Sequence, residues 1–390
     1  LARIMIERTE DHVPLADAID VIDSAFKVLS LRDQTWLEVL EGSDILRRDV
    51  DGPKRDGAWS RPNEVIRFSF QRLQDNLIAE RLLDDCHDIE TAFEPNAPLA
   101  FLLQRSLEDG VTVIKPTPRS VGILGALWSA VAEVHGKELS DLRSFFGGQD
   151  VHFYYDDLQP VFYASLRERS GAAFTQRTKD ILDWLWKDEP EEKLAIIFSN
   201  SCVPEHMWNA DFLLGRLLPL SLPDRDSAWS RYFARDASEL VDRAAQITNW
   251  ALNVDPRIVD AEVARLAAIT LTWLFTVTNR TIRDRATKAL VNLLVGTPTL
   301  FPDLMKQFRA VDDLYVLDRL LAAGYGAICL DPKDERIAET ARIVAEMIFG
   351  ESEPPVHLSI RDWACSIVER AAERHLLPAS FSIARARSPF

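Results

Sequence analysis

The sequence predicts an all-α fold, an α-solenoid of stacked helix pairs, on three observations. First, one apolar stripe recurs. From Ile282, apolar residues fall at steps 0, 4, 7, 8, 11 and 12 (Ile282, Ala286, Ala289, Leu290, Leu293, Leu294), which is one face of an amphipathic helix. The same steps from Val316 give Val316, Leu320, Ala323, Gly324, Ala327 and Ile328, and from Ile360 they give Ile360, Ala364, Ile367, Val368, Ala371 and Ala372. A fainter copy starts at Leu240 with Ala244, Ile247, Ala251 and Leu252, and Thr248 is its one exception. Second, an acid stands two residues into each copy, at Asp242, Asp284, Asp318 and Asp362. There a helix's first turn leaves N–H groups unpaired and favours a carboxylate by about 0.3–1 kcal/mol. Third, the copies start 42, 34 and 44 residues apart, which brackets the roughly 40–47-residue period of HEAT and armadillo units.

Each copy needs a partner helix, and one precedes each of the last three: Glu262 to Thr276, Leu300 to Phe308 and Arg336 to Phe349. The repeats occupy 236–378, with Leu290, Leu320 and Ala364 as core positions beside the four acids.

The first 85 residues follow a different plan. Ala16 to Leu29 carries Ile19, Ile22, Phe26 and Leu29 on one helical face, and a second helix runs from about Leu31 to Leu40. The polar stretch DVDGPKRDGAWSRPN, from Asp49 to Asn63, reads as an exposed loop or hairpin. Glu64 to Phe70 alternates as a short strand, and Arg72 to Leu83 is helical with Leu73, Leu77, Ile78 and Leu82 in register. This order is that of a winged-helix-like module over 1–85. Its second helix carries Asp33, Glu38 and Glu41 against Arg32 alone, which favours a structural role over DNA binding.

Residues 86–235 read as an irregular helical continuation of the solenoid. Prolines at 95, 98, 116 and 118 break its start, and Thr112 to Lys115 is a short extended piece. Helices follow over Gly122 to Val134, Thr175 to Lys187 and Phe212 to Leu220, and another opens at Pro223-Asp224. Residues 379–390 read as a loose tail.

Composition narrows the function. Sixty-one acids against 45 bases give a net charge of −16 over 390 residues, which argues against nucleic-acid binding as the main role. The apolar run Leu266 to Val277 falls short of the roughly 20 residues a membrane span needs. Cys86, Cys202, Cys329 and Cys365 are scattered, as expected of reduced thiols in a cytoplasmic protein. The chain starts at Leu1 rather than methionine, so a piece of a larger protein is expected.

Catalytic signatures are missing. The nearest approach to a phosphate-binding loop, Gly136-Lys137, has Val131 in place of the first glycine and Glu138 after the lysine. There is no G-x-S-x-G elbow and no H-E-x-x-H zinc motif. Cys202 with His206 would make half a zinc site if they shared a helix, and Asp156-Asp157 beside His152 is a conceivable divalent-ion site. Neither is complete, and the sequence assigns no catalytic, cofactor-binding or metal-binding residue.

Several segments resemble the C-terminal regions of bacterial STAND NTPases with a NACHT-type ATPase, of the antiviral Avs (AVAST) kind. They are VIRFSFQRLQDNLIAERLL from Val65 to Leu83, with its acid at Asp75; Asn209-Ala-Asp211-Phe212; Pro223-Asp224-Arg225-Asp226; Asn279 to Leu294; Asp313-x-Tyr315-Val316; and Tyr325-Gly326. The chain departs from the family at Phe70-Gln71-Arg72, where Tyr-Glu-Arg is favoured, and at Asn76, where a histidine is. The resemblance implies a non-catalytic target-sensing and scaffold arm in antiphage defence. In it, acidic and aromatic residues of the solenoid's inner face bind a foreign protein such as a phage packaging or portal component. An upstream ATPase module holds ATP and magnesium, oligomerises and switches on an effector. The alternatives are a free-standing helical protein–protein adaptor and an enzyme with an unrecognised acid-based site.

Overall fold

A computed structural model describes residues 1–8, 10–27, 34–51, 63–108, 111–146, 155–167, 169–185, 190–234, 238–350 and 355–387. Eighteen α-helices dominate these residues, with five strands in two small antiparallel sheets. The all-α expectation is corrected to that extent. The chain forms two compact units, Leu1–Thr178 and Lys179–Phe390, divided inside the stretch that reads as one irregular region in the sequence.

The first unit opens α1 (Ala2–Arg8), β1 (Val13–Pro14), α2 (Leu15–Ala25), α3 (Trp36–Gly42), β2 (Leu46–Asp51) and β3 (Asn63–Phe68). β3 is central and antiparallel to both neighbours, with Ile66 facing Val13 on one side and Arg48 on the other. Helix α3 starts five residues later than the apolar pattern suggests because Thr35 caps it. The Thr35 hydroxyl accepts from the Glu38 amide at 3.2 Å, and the Glu38 carboxylate accepts from the Thr35 amide at 2.8 Å. β2 is hidden in the sequence because only Leu46 of its six residues is buried, which leaves no apolar alternation to read. Of the expected loop, 52–62 lies outside the described residues, while Asp49 to Asp51 and Asn63 belong to strands.

Helix α4 (Gln71–Asp84) packs on α5 (Val121–His135). The α5 sequence is apolar on nearly every side, and its end is set by Gly136, whose φ of 62° suits a left-handed cap. Between them β4 (Leu103–Glu108) and β5 (Val111–Pro116) form a hairpin, of which the expected extended piece is one strand. Short α6 (Arg143–Phe146) and then α7 (Tyr155–Leu166) follow, and α8 (Gln176–Leu185) begins here and continues past Thr178, where the unit ends.

A buried ion pair fastens this unit. The Arg169 guanidinium donates to both Glu138 oxygens, at 2.7 and 2.8 Å, and Trp128 Nε1 donates at 2.8 Å. The Thr178 hydroxyl also donates to Glu138, and Arg169 reaches Ser165 Oγ at 2.9 Å. Burial pushes the Glu138 carboxyl up, but Arg169 and these hydrogen bonds outweigh it and hold the group below the usual carboxylate range.

The second unit contains α9 (Pro190–Asn200), α10 (Ala210–Leu217), α11 (Leu222–Ala228), α12 (Glu239–Asn253), α13 (Ala261–Trp273), α14 (Arg280–Gly296), α15 (Leu300–Gln307), α16 (Leu314–Leu330), α17 (Asp334–Met347) and α18 (Leu358–Glu373). Helices α9, α12, α14, α16 and α18 pack side by side in that order; α10, α13, α15 and α17 make a second row against them. The α14 stripe from Ile282 to Leu294 is buried throughout, and so is the α16 stripe from Val316 to Ile328. The polar exception in α12, Thr248, is buried too, because its hydroxyl donates to the Ala244 carbonyl at 2.5 Å. Two glycines let α16 sit close on both sides: a Cβ on Gly324 would stand 2.4 Å from Phe301 of α15, and one on Gly326 would stand 2.9 Å from Val291 of α14.

The tail is tied down rather than loose. Ile383–Ala386 forms a 3-10 turn, Cys365 Sγ donates to the Ala386 carbonyl at 2.7 Å, and Arg387 pairs with Glu369 at 3.1 Å. Residues 388–390 lie outside the described residues.

Candidate protein-binding face

The four spaced acids do not cap their helices. Ser238 caps α12, Asn279 caps α14, Asp313 caps α16 and His357 caps α18, each accepting a first-turn amide through its side chain. The acids lie about a turn further in, past the last unpaired amide, which corrects the first-turn reading.

Two of them reach sideways instead. Asp284 pairs with Arg280 on its own helix at 3.4 Å and with Arg319 of α16 at 3.0 Å. At Asp318 of α16 burial pushes the carboxyl up, against the opposing pull of His357, Arg319 and Trp363 of α18. Asp242 and Asp362 are exposed. Leu290, Leu320 and Ala364 are buried.

A surface ladder follows from these sideways contacts. Arg285 of α14 donates to Asn249 of α12. The Arg283 and Arg319 guanidinium carbons lie 5.1 and 4.8 Å from the Tyr315 ring centroid. Tyr325 of α16 and Trp363 of α18 meet at 5.7 Å between ring centroids. Trp250 of α12 is 36% exposed, and Tyr315, Tyr325 and Trp363 are each half-buried. The solvent-reached parts of α12, α14, α16 and α18 therefore carry Trp250, Tyr315, Tyr325 and Trp363 with Asp284, Arg285 and Arg319, and Lys288 of α14 is exposed. Rings held by neighbouring cations lose little further freedom on contact with a partner, and aromatic and arginine side chains are the groups that anchor protein interfaces.

At the helix ends a second device recurs. Asn292 donates to the Ala251 and Val254 carbonyls at the end of α12, at 2.9 Å each. Arg336 of α17 donates to Leu294 and Val295 at the end of α14, at 2.6 and 2.7 Å, and Arg374 donates to Pro332 just past α16 at 3.0 Å. The Asn292 and Arg336 clamps satisfy carbonyls that a helix C-terminus leaves unpaired. The arginine–carbonyl contacts are beyond sequence reasoning, since residues 41 or 42 apart carry no periodic signal.

The segments singled out by resemblance take structural places. Asn209 caps α10, and Asp211 pairs with Arg265 at 2.5 Å. Arg225 is buried, pairs with Asp312 at 2.8 Å and lies 5.9 Å from the Trp273 ring centroid. Asn279 and Asp313 are caps, Tyr325 is a ring of the ladder and Gly326 gives α14 its close approach.

The half zinc site does not form as a helical pair. α9 ends at Asn200, and Cys202 to His206 is a run of turns. His206 Nδ1 accepts from the Trp208 amide at 3.0 Å, and burial pulls the imidazole down to about 4, so it is neutral in the fold. Burial pushes the Cys202 thiol up to about 12. His152 and the side chains of Asp156 and Asp157 lie outside the described residues. Among the described residues no three His, Cys, Asp or Glu side chains stand close enough to hold a metal ion, and no helix is long and apolar enough to cross a membrane. Comparisons with protein-family models, with curated proteins and with solved structures return no match to this chain.

Proposed function

We propose that this chain is a non-catalytic target-sensing and scaffold arm of a STAND-type NTPase in antiphage defence, which binds a foreign protein on a HEAT-like solenoid. The observation that carries the reading is the aromatic and charged ladder across α12, α14, α16 and α18. Two further features support it. Successive helices alternate between two rows, as solenoid repeats do, and such repeats offer long surfaces for protein partners. The order α1, β1, α2, α3, β2, β3 fits a winged-helix module, and the Glu38 and Glu41 side chains are engaged by Thr35 and Arg48 within the module itself. On this reading nucleotide chemistry belongs to an attached ATPase module with its ATP and magnesium.

The test is capture by the immobilised chain from phage-infected and uninfected bacterial lysates, with the bound proteins identified by mass spectrometry. The reading requires one abundant phage protein from infected cells alone, lost on the double change Arg285→Glu and Lys288→Glu with the melting temperature unchanged. Both positions are exposed. One host protein from both lysates would favour the free-standing adaptor instead. Capture indifferent to the double change would remove the ladder from the argument.

A further inference from the structure

In the first unit a cavity of about 650 Å³ opens between α1, α4 and the start of α5, within the range of small-molecule sites. Its walls are mostly apolar, with Met5, Ile78 and Ile123 among them and Phe101, 41% exposed, beside them. Gln74, only 4% exposed, is part of the wall. Among the described residues its carboxamide makes no hydrogen bond, and as part of the wall it is available to a ligand in the cavity.

The charges around the cavity decide what it takes. Glu10, Asp11 and Asp75 line it with Arg119; Asp11 is paired with Arg67 at 2.5 Å, which leaves Glu10 and Asp75 against Arg119. Asp75 accepts from Gln71 at 2.9 Å and lies against the first turn of α5, so close that a Cβ on Gly122 would stand 2.1 Å from Asp75 Oδ2. The positive end of α5 is thus already answered by a carboxylate, and an anion would meet net negative charge. An N–H donor would instead find the open Gln74 oxygen, with the Phe101 ring beside the apolar body.

We propose that this cavity binds a small cation, a planar amidinium- or guanidinium-type head on an apolar body. The probes are benzamidine, benzamide and benzoate, which share a ring and differ in the charge of the head. Each is titrated into the full chain by ligand-observed NMR. Benzamidine should bind tightest and benzoate weakest. Gln74→Leu should weaken benzamidine about tenfold, the equivalent of losing one hydrogen bond to a charged group. Leu is apolar and of similar size, so this variant keeps its fold, which the melting temperature verifies; Phe101→Ala, at an exposed position, should also weaken the cation. Benzoate binding as tightly as benzamidine, benzamidine indifferent to Gln74→Leu, or no benzamidine binding at millimolar concentration would each overturn the assignment.

Discussion

The two units hold their helices together in opposite ways. In Lys179–Phe390 the α12, α14, α16 and α18 helices meet through stripes of small and branched apolar residues, and most charges lie on the outer face or at helix ends. In Leu1–Thr178 a complete ion pair, Glu138 with Arg169, sits in the interior with side-chain exposures of 2% and 0%. A stripe spreads its energy over many similar contacts. A buried ion pair concentrates it in one arrangement whose parts fail together.

The largest effect is expected where a charge enters the stripe. Leu290→Asp removes about 1.5–3 kcal/mol of burial and adds several more for an unpaired buried charge. Cooperative unfolding of the second unit should be lost at temperatures where Leu290→Met, a volume-conserving change costing under about 1.5 kcal/mol, stays folded. Circular dichroism melts of the two variants decide it, and similar melting temperatures would show that the stripe is not what holds these helices.

Next comes the ion pair. Glu138→Ala leaves the Arg169 charge buried without its carboxylate, at an expected cost of about 3–5 kcal/mol by urea unfolding. The double change Glu138→Leu with Arg169→Met should recover most of it, since apolar residues of similar volume replace buried pairs at little cost. If the double variant is as unstable as the single one, the cluster's hydrogen bonds to Trp128, Thr178 and Ser165 matter more than its charge.

This contrast also explains what could be read from the sequence. The α14 and α16 stripes were legible because helical periodicity is local, and the helix starting after Thr35 could have been placed by its Thr-x-x-Glu box. Glu138 looks like any surface acid in Gly-Lys-Glu-Leu-Ser, because its partners lie 10, 31 and 40 residues away. The ladder is half visible: the acids stand out by their spacing, but the tie of Asp284 to Arg319 on the next helix depends on how the helices are rotated. The Gln74 cavity was invisible, since nothing in a run of polar helix residues marks the one that faces inward.

A smaller effect tests the turn after α9. His206 is neutral in the fold with its pKa lowered to about 4 by burial, against an ordinary value of about 6.5. Above that ordinary value neither state binds the proton, so the burial has no pH-dependent cost. As pH falls from about 6.5 to 4, the unfolded chain gains a proton that the folded chain refuses, and stability drops by about 3 kcal/mol. His206→Asn, which keeps an acceptor for the Trp208 amide, should flatten urea midpoints over that window. A step of unchanged size would assign it to other groups.

The smallest effect separates two accounts of the repeated acids. If Asp284 acted as a cap, Asp284→Ala would cost about 0.5–2 kcal/mol and Asn279→Ala almost nothing. The geometry reverses that order. Asn279 Oδ1 accepts from the Thr281 and Ile282 amides at 3.0 and 3.2 Å, whereas Asp284 holds ion pairs with Arg280 and Arg319 near the surface. Asn279→Ala should therefore cost about 1 kcal/mol, independent of salt. Asp284→Ala should cost less than about 1 kcal/mol, and that cost should shrink as ionic strength rises and screens the pairs. Equal, salt-independent losses would return the acid to a capping role and remove one rung of the ladder between α14 and α16.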